Sequence, residues 1–217
     1  MRKNVSLLQI FVQINVAISY KLAQKNVDMK RNVLSKLIDW KNKKNRKPLI
    51  LNGARQVGKT YILREFGSQC YEKMAYVNCD KNKMLEKIFS QDYNISRILL
   101  SLSAILHVNI EPGNTLIIFD EIQESPTVLN SLKYFCEDAP QYHVAVAGSL
   151  LGISLHNNTS FPVGKVDMIK MYPMTFDEFL MAIGEQPLVD ILATKDFSII
   201  DSLSVRFIDC LRQYYYV

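Results

Sequence analysis

Apolar and polar positions change period several times along this chain, and each change marks an element. Pro48-Leu49-Ile50-Leu51-Asn52 is short and almost wholly apolar, which predicts a strand buried on both faces. Thr115-Leu116-Ile117-Ile118-Phe119 and Val144-Ala145-Val146-Ala147-Gly148 have the same character. Ala75-Tyr76-Val77-Asn78 reads as a shorter strand. Lys165-Val166-Asp167-Met168-Ile169-Lys170-Met171 alternates and predicts a fifth, ended by Pro173. Between these runs the apolar positions recur at helical spacing. Val33, Leu34, Leu37, Ile38 and Trp40 share one face, and residues 61–66 start another helix. Two helices are expected within 82–106, parted near 92–94, and one more over 128–137. Thr175 and Glu178 form a T-x-x-E capping box that starts a helix, and 197–216 reads as a final one. The basic stretch 41–47 is expected to be an exposed connection. Strands alternating with helices predict an α/β fold with a parallel sheet.

The first strand runs into Gly53-Ala54-Arg55-Gln56-Val57-Gly58-Lys59-Thr60, which reads G-x-x-x-x-G-K-T, and a helix leaves it. Strand, glycine loop and helix is the context of a phosphate-binding loop. The glycines let the backbone curl until its N–H groups face phosphate oxygens, and the helix start adds partial positive charge. In this pattern Lys59 reaches the β- and γ-phosphates and the Thr60 hydroxyl ligates magnesium. The third apolar run ends in Asp120-Glu121. Strand carboxyl ends carry the chemistry in nucleotide-binding α/β folds. Asp120 is expected to hold magnesium through its water shell, and Glu121 to orient and activate the attacking water. Ser149 follows the fourth strand. Its side chain either contacts the γ-phosphate or the water, or caps the next helix.

Length and composition add limits. A chain of 217 residues suits one to two domains with a real core. Hydrophobic residues make up 48% and charged residues 22%, as in ordinary globular proteins. The net charge of +5 is uneven: residues 1–66 hold 15 Lys+Arg against 3 Asp+Glu, and residues 67–217 hold 11 against 18. That basic part is either a solvated face beside a phosphate site or a contact for nucleic acid, an acidic partner or a membrane surface. Cys70, Cys79, Cys136 and Cys210 are scattered, which argues against a zinc site or disulfide framework and for reduced thiols in a cytoplasmic protein. His107, His143 and His156 show no metal-ligand spacing. Residues 1–28 superficially resemble a signal peptide, but Gln9, Gln13 and Asn15 interrupt the apolar stretch and make it too polar for a transmembrane segment. They read as an amphipathic helix or as an extension of little structural role, with a coherent segment starting at Met29.

Residues 52–60 (N-G-A-R-Q-V-G-K-T), 119–123 (F-D-E-I-Q), 147–151 (A-G-S-L-L) and 172–180 (Y-P-M-T-F-D-E-F-L) together resemble the AAA-type ATPases of the AAA_14 group. These are bacterial and archaeal ATP-binding proteins that usually carry a carboxy-terminal domain of unknown function. The resemblance covers residues 29–217. It implies a P-loop NTPase three-layer αβα sandwich whose five-stranded parallel sheet has the order 5-1-4-3-2. It also implies ATP and Mg²⁺ as ligands, Lys59 and Thr60 as phosphate and magnesium residues, Asp120 and Glu121 as the second acidic motif, and Ser149 at a sensor-like position. Arg55 is usual in the loop, without a role that spacing settles. No arginine finger is assigned: Arg64, Arg97, Arg206, Arg212 and a partner subunit all stay open. Members of the group continue past the position of Val217, so a truncated member is expected, with an extension over 1–28, an ATPase core over 29–195 and the helical start of a further region over 196–217. The leading expectation is a magnesium-dependent ATPase that drives a conformational change in an unknown protein partner or missing domain, with oligomerisation open. A nucleotide switch with little turnover and a nucleic-acid-associated ATPase are the competing ones. No N-K-x-D guanine motif follows a later strand, which favours ATP.

Overall fold

The computed structural model describes residues 31–149 and 162–216. The expected extension over 1–28, the end of the 147–151 motif and most of the expected loop after it lie outside the described residues. The described residues form two compact units, one over 32–173 and a second of Arg31 with residues 174–216.

In the first unit, β1 (Leu49–Gly53), β2 (Lys73–Asn78), β3 (Thr115–Asp120), β4 (His143–Gly148) and β5 (Asp167–Met171) make one sheet of order β2-β3-β4-β1-β5. Every pairing is parallel. This is the expected order, read from the other edge. Alternation along the strands sends side chains to two cores. Leu49, Leu51, Leu116, Ile118, Ala145 and Ala147 pack with α1 (Asn32–Asn42) and α2 (Lys59–Cys70), which contribute Leu37, Trp40, Ile62, Leu63 and Phe66. Ile50, Val77, Ile117, Phe119, Val144 and Val146 pack with α3 (Lys83–Gln91), α4 (Ile95–Leu106) and α5 (Pro126–Asp138). The result is a three-layer αβα sandwich. β1, β3 and β4 are buried along their whole length, which explains their unbroken apolar runs. β5 is an edge strand, and its Met168 and Lys170 are exposed. Asn82 and Asn94 cap α3 and α4 by accepting from Leu85 N and Arg97 N, which places the break within 82–106.

The second unit is helical. Its α6 (Phe176–Ala182) opens with the expected capping box, in which Thr175 N donates to Glu178 Oε2 at 3.0 Å. Arg31 pairs with the same buried carboxylate at 3.3 Å. α7 (Gln186–Thr194) was not expected from the sequence. The helix expected over 197–216 is two, α8 (Phe197–Ser202) and α9 (Ser204–Tyr214), parted at Leu203 with φ −108° and ψ 13°. Leu180, Leu188, Phe207 and Cys210 form a small core. Among the described residues no helix is long and apolar enough to cross a membrane.

Candidate functional site

β1 ends at Gly53 and α2 begins at Lys59, so the glycine loop joins the carboxyl end of an interior strand to a helix N-terminus. Gly53 lies against Met171 of β5, its pairing partner. A Cβ on Gly53 would stand 2.4 Å from the Met171 carbonyl oxygen, closer than any side chain tolerates. Gln56 and Gly58 have φ of 64° and 89°, and Gly58 turns the chain into α2. The first N–H groups of an α-helix have no acceptor within the helix, and α2 starts directly at the loop. Lys59 Nζ donates to Ala54 O at 2.7 Å and Gly53 O at 3.2 Å. Burial lowers the Lys59 pKa below the usual lysine value; Glu121 and Asp120 oppose the shift, and Arg55 adds to it.

Asp120 ends β3 and is buried. Three donors hold its carboxylate. Thr60 Oγ1 and Tyr76 Oη both donate to Oδ2, at 2.7 and 2.8 Å, and Glu121 N donates to Oδ1 at 3.0 Å. Glu121 adopts the left-handed conformation, with φ 51° and ψ 46°, a departure that costs a non-glycine residue about 1 kcal/mol or more. That turn opens the short 3₁₀ segment Ile122–Glu124 and brings Gln123 beneath the acid. Gln123 Nε2 donates to Glu121 Oε2, and Gln123 Oε1 accepts from Ser149 N at 3.4 Å. Gln123 is 5% exposed, so one buried amide spans the ends of β3 and β4.

A cleft of about 770 Å³ opens over these groups. Arg55, Gln56, Gly58, Lys59, Thr60, Glu121 and Ser149 line it, together with Gln123, Tyr61, Asn78, Asp80 and Glu124. The other expected site residues stand just behind. Gly53 and Ala54 present carbonyls to Lys59, Val57 packs on the α1–α2 core, and Asp120 lies behind Thr60. The helix that Ser149 would cap lies outside the described residues. Tyr76 and Gln123 were given no role from the sequence. Tyr76 reads there only as a strand former, and Gln123 is one polar residue among several in D-E-I-Q-E-S, so neither leaves a signal in the sequence.

The four arginines considered as fingers all have partners within the chain. The Arg64 guanidinium carbon is 3.9 Å from the Tyr76 ring centroid. Arg97 binds Asp92 at 3.0 Å and Ile88 O at 2.7 Å. Arg206 pairs with Glu185, and Arg212 with Asp209 at 3.3 Å.

Among the described residues no cluster of His, Cys, Asp and Glu forms a metal site by itself. Thr60 and Asp120 nevertheless fit a magnesium ion shared with phosphates. The Thr60 proton is committed to Asp120, so the hydroxyl oxygen keeps lone pairs. A carboxylate accepts at about four positions, and three are taken here. A hard oxygen donor pair of this kind suits an ion that keeps its waters and completes its shell with phosphate oxygens.

Residues 45–180 match the model of a known family, AAA_14, described as an AAA domain. No curated protein matches the chain. Among solved structures it is similar to the Aeropyrum pernix ORC1 protein in complex with DNA, at 14% identity and TM-score 0.46, over 82% of this chain and 59% of that one. It is also similar to C. elegans PCH-2, at 11% identity and TM-score 0.36, over 80% and 43% of the two chains. Candida albicans Pif1 helicase is a third, at 12% identity and TM-score 0.40, over 76% and 43%. The chain thus spans less than two thirds of each of these proteins. Because the family match takes in more than half of its residues, the chain belongs to the AAA_14 family, and its domain is in general terms a nucleotide-binding AAA ATPase domain.

Proposed function

We propose that this chain binds ATP with magnesium and hydrolyses it, coupling turnover to a conformational change in a protein partner or further domain in the cytoplasm. The observation that carries the reading is the 2.7 Å hydrogen bond from Thr60 to Asp120, which joins two motifs 60 residues apart into one oxygen-lined corner of the cleft. In this reading Lys59 leaves the Gly53 and Ala54 carbonyls for the β- and γ-phosphates. Thr60 and Asp120 hold magnesium, which when bound spreads the charge of the phosphate oxygens. Glu121 holds the attacking water in line with the γ-phosphorus and takes its proton as the bond to the leaving ADP oxygen breaks. Ser149, at the end of β4, orients the γ-phosphate or that water. Lys59→Ala should abolish nucleotide binding. Glu121→Gln should keep binding and lose turnover by roughly 100-fold or more. Undiminished turnover in Glu121→Gln would remove the role given to Glu121.

The bond from Gln123 to Glu121 favours a second reading, a nucleotide switch with little turnover, because an amide already occupies the carboxylate that would hold the water. Turnover at saturating magnesium-ATP, set against binding measured separately, distinguishes the two.

A further inference from the structure

Tyr76 takes no part in the chemistry above, yet it touches the centre of the site. The β2–β3 register pairs Tyr76 with Ile118 and Asn78 with Asp120. Strand alternation therefore sets Tyr76, Ile118 and Asp120 on the sheet face covered by α2. The Tyr76 hydroxyl donates to Asp120 Oδ2, the oxygen that also accepts from Thr60. Arg64, one helical turn beyond Thr60, covers the Tyr76 ring. One helix thus buttresses both groups, Thr60 against the acid and Arg64 against the tyrosine.

An aspartate carboxylate is not oriented by its own torsion, because the terminal bond has a broad minimum. Hydrogen bonds must set its plane. Here the Glu121 N–H holds one oxygen and two hydroxyls hold the other, leaving one acceptor position on the carboxylate. Thr60 would be a metal ligand itself, so Tyr76 is the side-chain donor free to act as support alone. We propose that Tyr76 is a positioning residue for the magnesium site: its hydroxyl, steadied by Arg64, sets the plane of the Asp120 carboxylate so that the remaining acceptor position receives a metal-bound water. The inference rests on the magnesium–nucleotide reading above.

The test uses the full chain, a fluorescent ATP analogue and a magnesium titration, with a parallel binding measurement in EDTA. Tyr76→Phe removes the hydroxyl and keeps the ring under Arg64. The magnesium concentration at half-maximal binding should rise about 10-fold or more, the usual effect of losing a group that orients a metal ligand. Binding in EDTA should match the wild type. Arg64→Met, an exposed substitution that leaves the hydroxyl in place, should shift the magnesium midpoint the same way by a smaller factor. An unchanged magnesium midpoint in Tyr76→Phe, or in Arg64→Met if the first variant does not fold, overturns the inference. So does an equal loss of binding with and without magnesium, which a merely structural role would give. Wild-type binding that is indifferent to magnesium would instead remove the underlying reading.

Discussion

Tyr71 and His143 meet at 2.8 Å, hydroxyl oxygen to Nδ1, with the Trp40 ring edge-on to the imidazole at 6.2 Å. Burial pushes the Tyr71 pKa up and keeps the phenol neutral. Burial, helped by the cations of Arg46 and Lys41, pushes His143 down from 6.5 to about 4. The folded state therefore keeps the imidazole neutral, and on acidification the unfolded chain takes up the proton first. Stability from this pair is complete above pH 6.5 and is lost as pH falls toward 4, by at most on the order of 3 kcal/mol. Urea denaturation between these pH values should show that slope, and His143→Phe should flatten it. Gly53 is the other residue whose environment decides its identity. Gly53→Ala drives a methyl into the Met171 carbonyl, should cost about 1–3 kcal/mol in a denaturant titration, and should weaken nucleotide binding as β1 and β5 part. The need for glycine at 53 and 58 was legible in the loop pattern. The engagement of Tyr76 with Asp120 was not, because it depends on strand register, which a run of strand-forming residues does not specify.

At the scale of elements, the basic stretch 41–47 leaves the last turn of α1 and is exposed over 42–45, as expected of a connection, but its cations make internal contacts. Lys41 donates to the Cys70 carbonyl at the end of α2, and Arg46 donates to Pro140 O, just beyond α5, at 3.2 Å. Lys43 pairs with Asp167 at 2.6 Å, and Lys47 donates to Gly164 O. These cations sit on carbonyls at or near helix ends and on the start of β5, where positive charge offsets the helix dipole. That gives the basic stretch an internal role and weakens the argument from charge for a nucleic-acid surface. Arg46 also packs over Trp40, 5.7 Å from the ring centroid. Arg46→Met should cost about 1 kcal/mol by denaturant midpoint and leave magnesium-ATP affinity unchanged. Strands and early helices were legible because burial on two faces, or on one helical face, writes itself into the spacing of apolar residues. The carboxy-terminal helices were not. α7 has nine residues with only Leu188 buried, and the turn at Leu203 interrupts an apolar period that continues on both sides.

At the scale of the whole molecule, the family match, the sheet order and the cleft converge on a phosphate-binding site at the carboxyl ends of parallel strands. Ligand binding there should appear as global stability. Magnesium-ATP at a hundred times its Kd should stabilise the fold by about 2.7 kcal/mol in a denaturation experiment, and Lys59→Ala should show no such gain. The strand order also has a temporal consequence. Among the described strands β1 is the first to be synthesised, yet its neighbours β4 and β5 are the last two. Gly53 reaches its final surroundings only when Met171 has left the ribosome. Until then the loop has its glycines and its lysine but lacks β5, the strand paired with its first residue, so a nascent chain halted before β5 carries the whole phosphate motif and cannot complete the sheet around it.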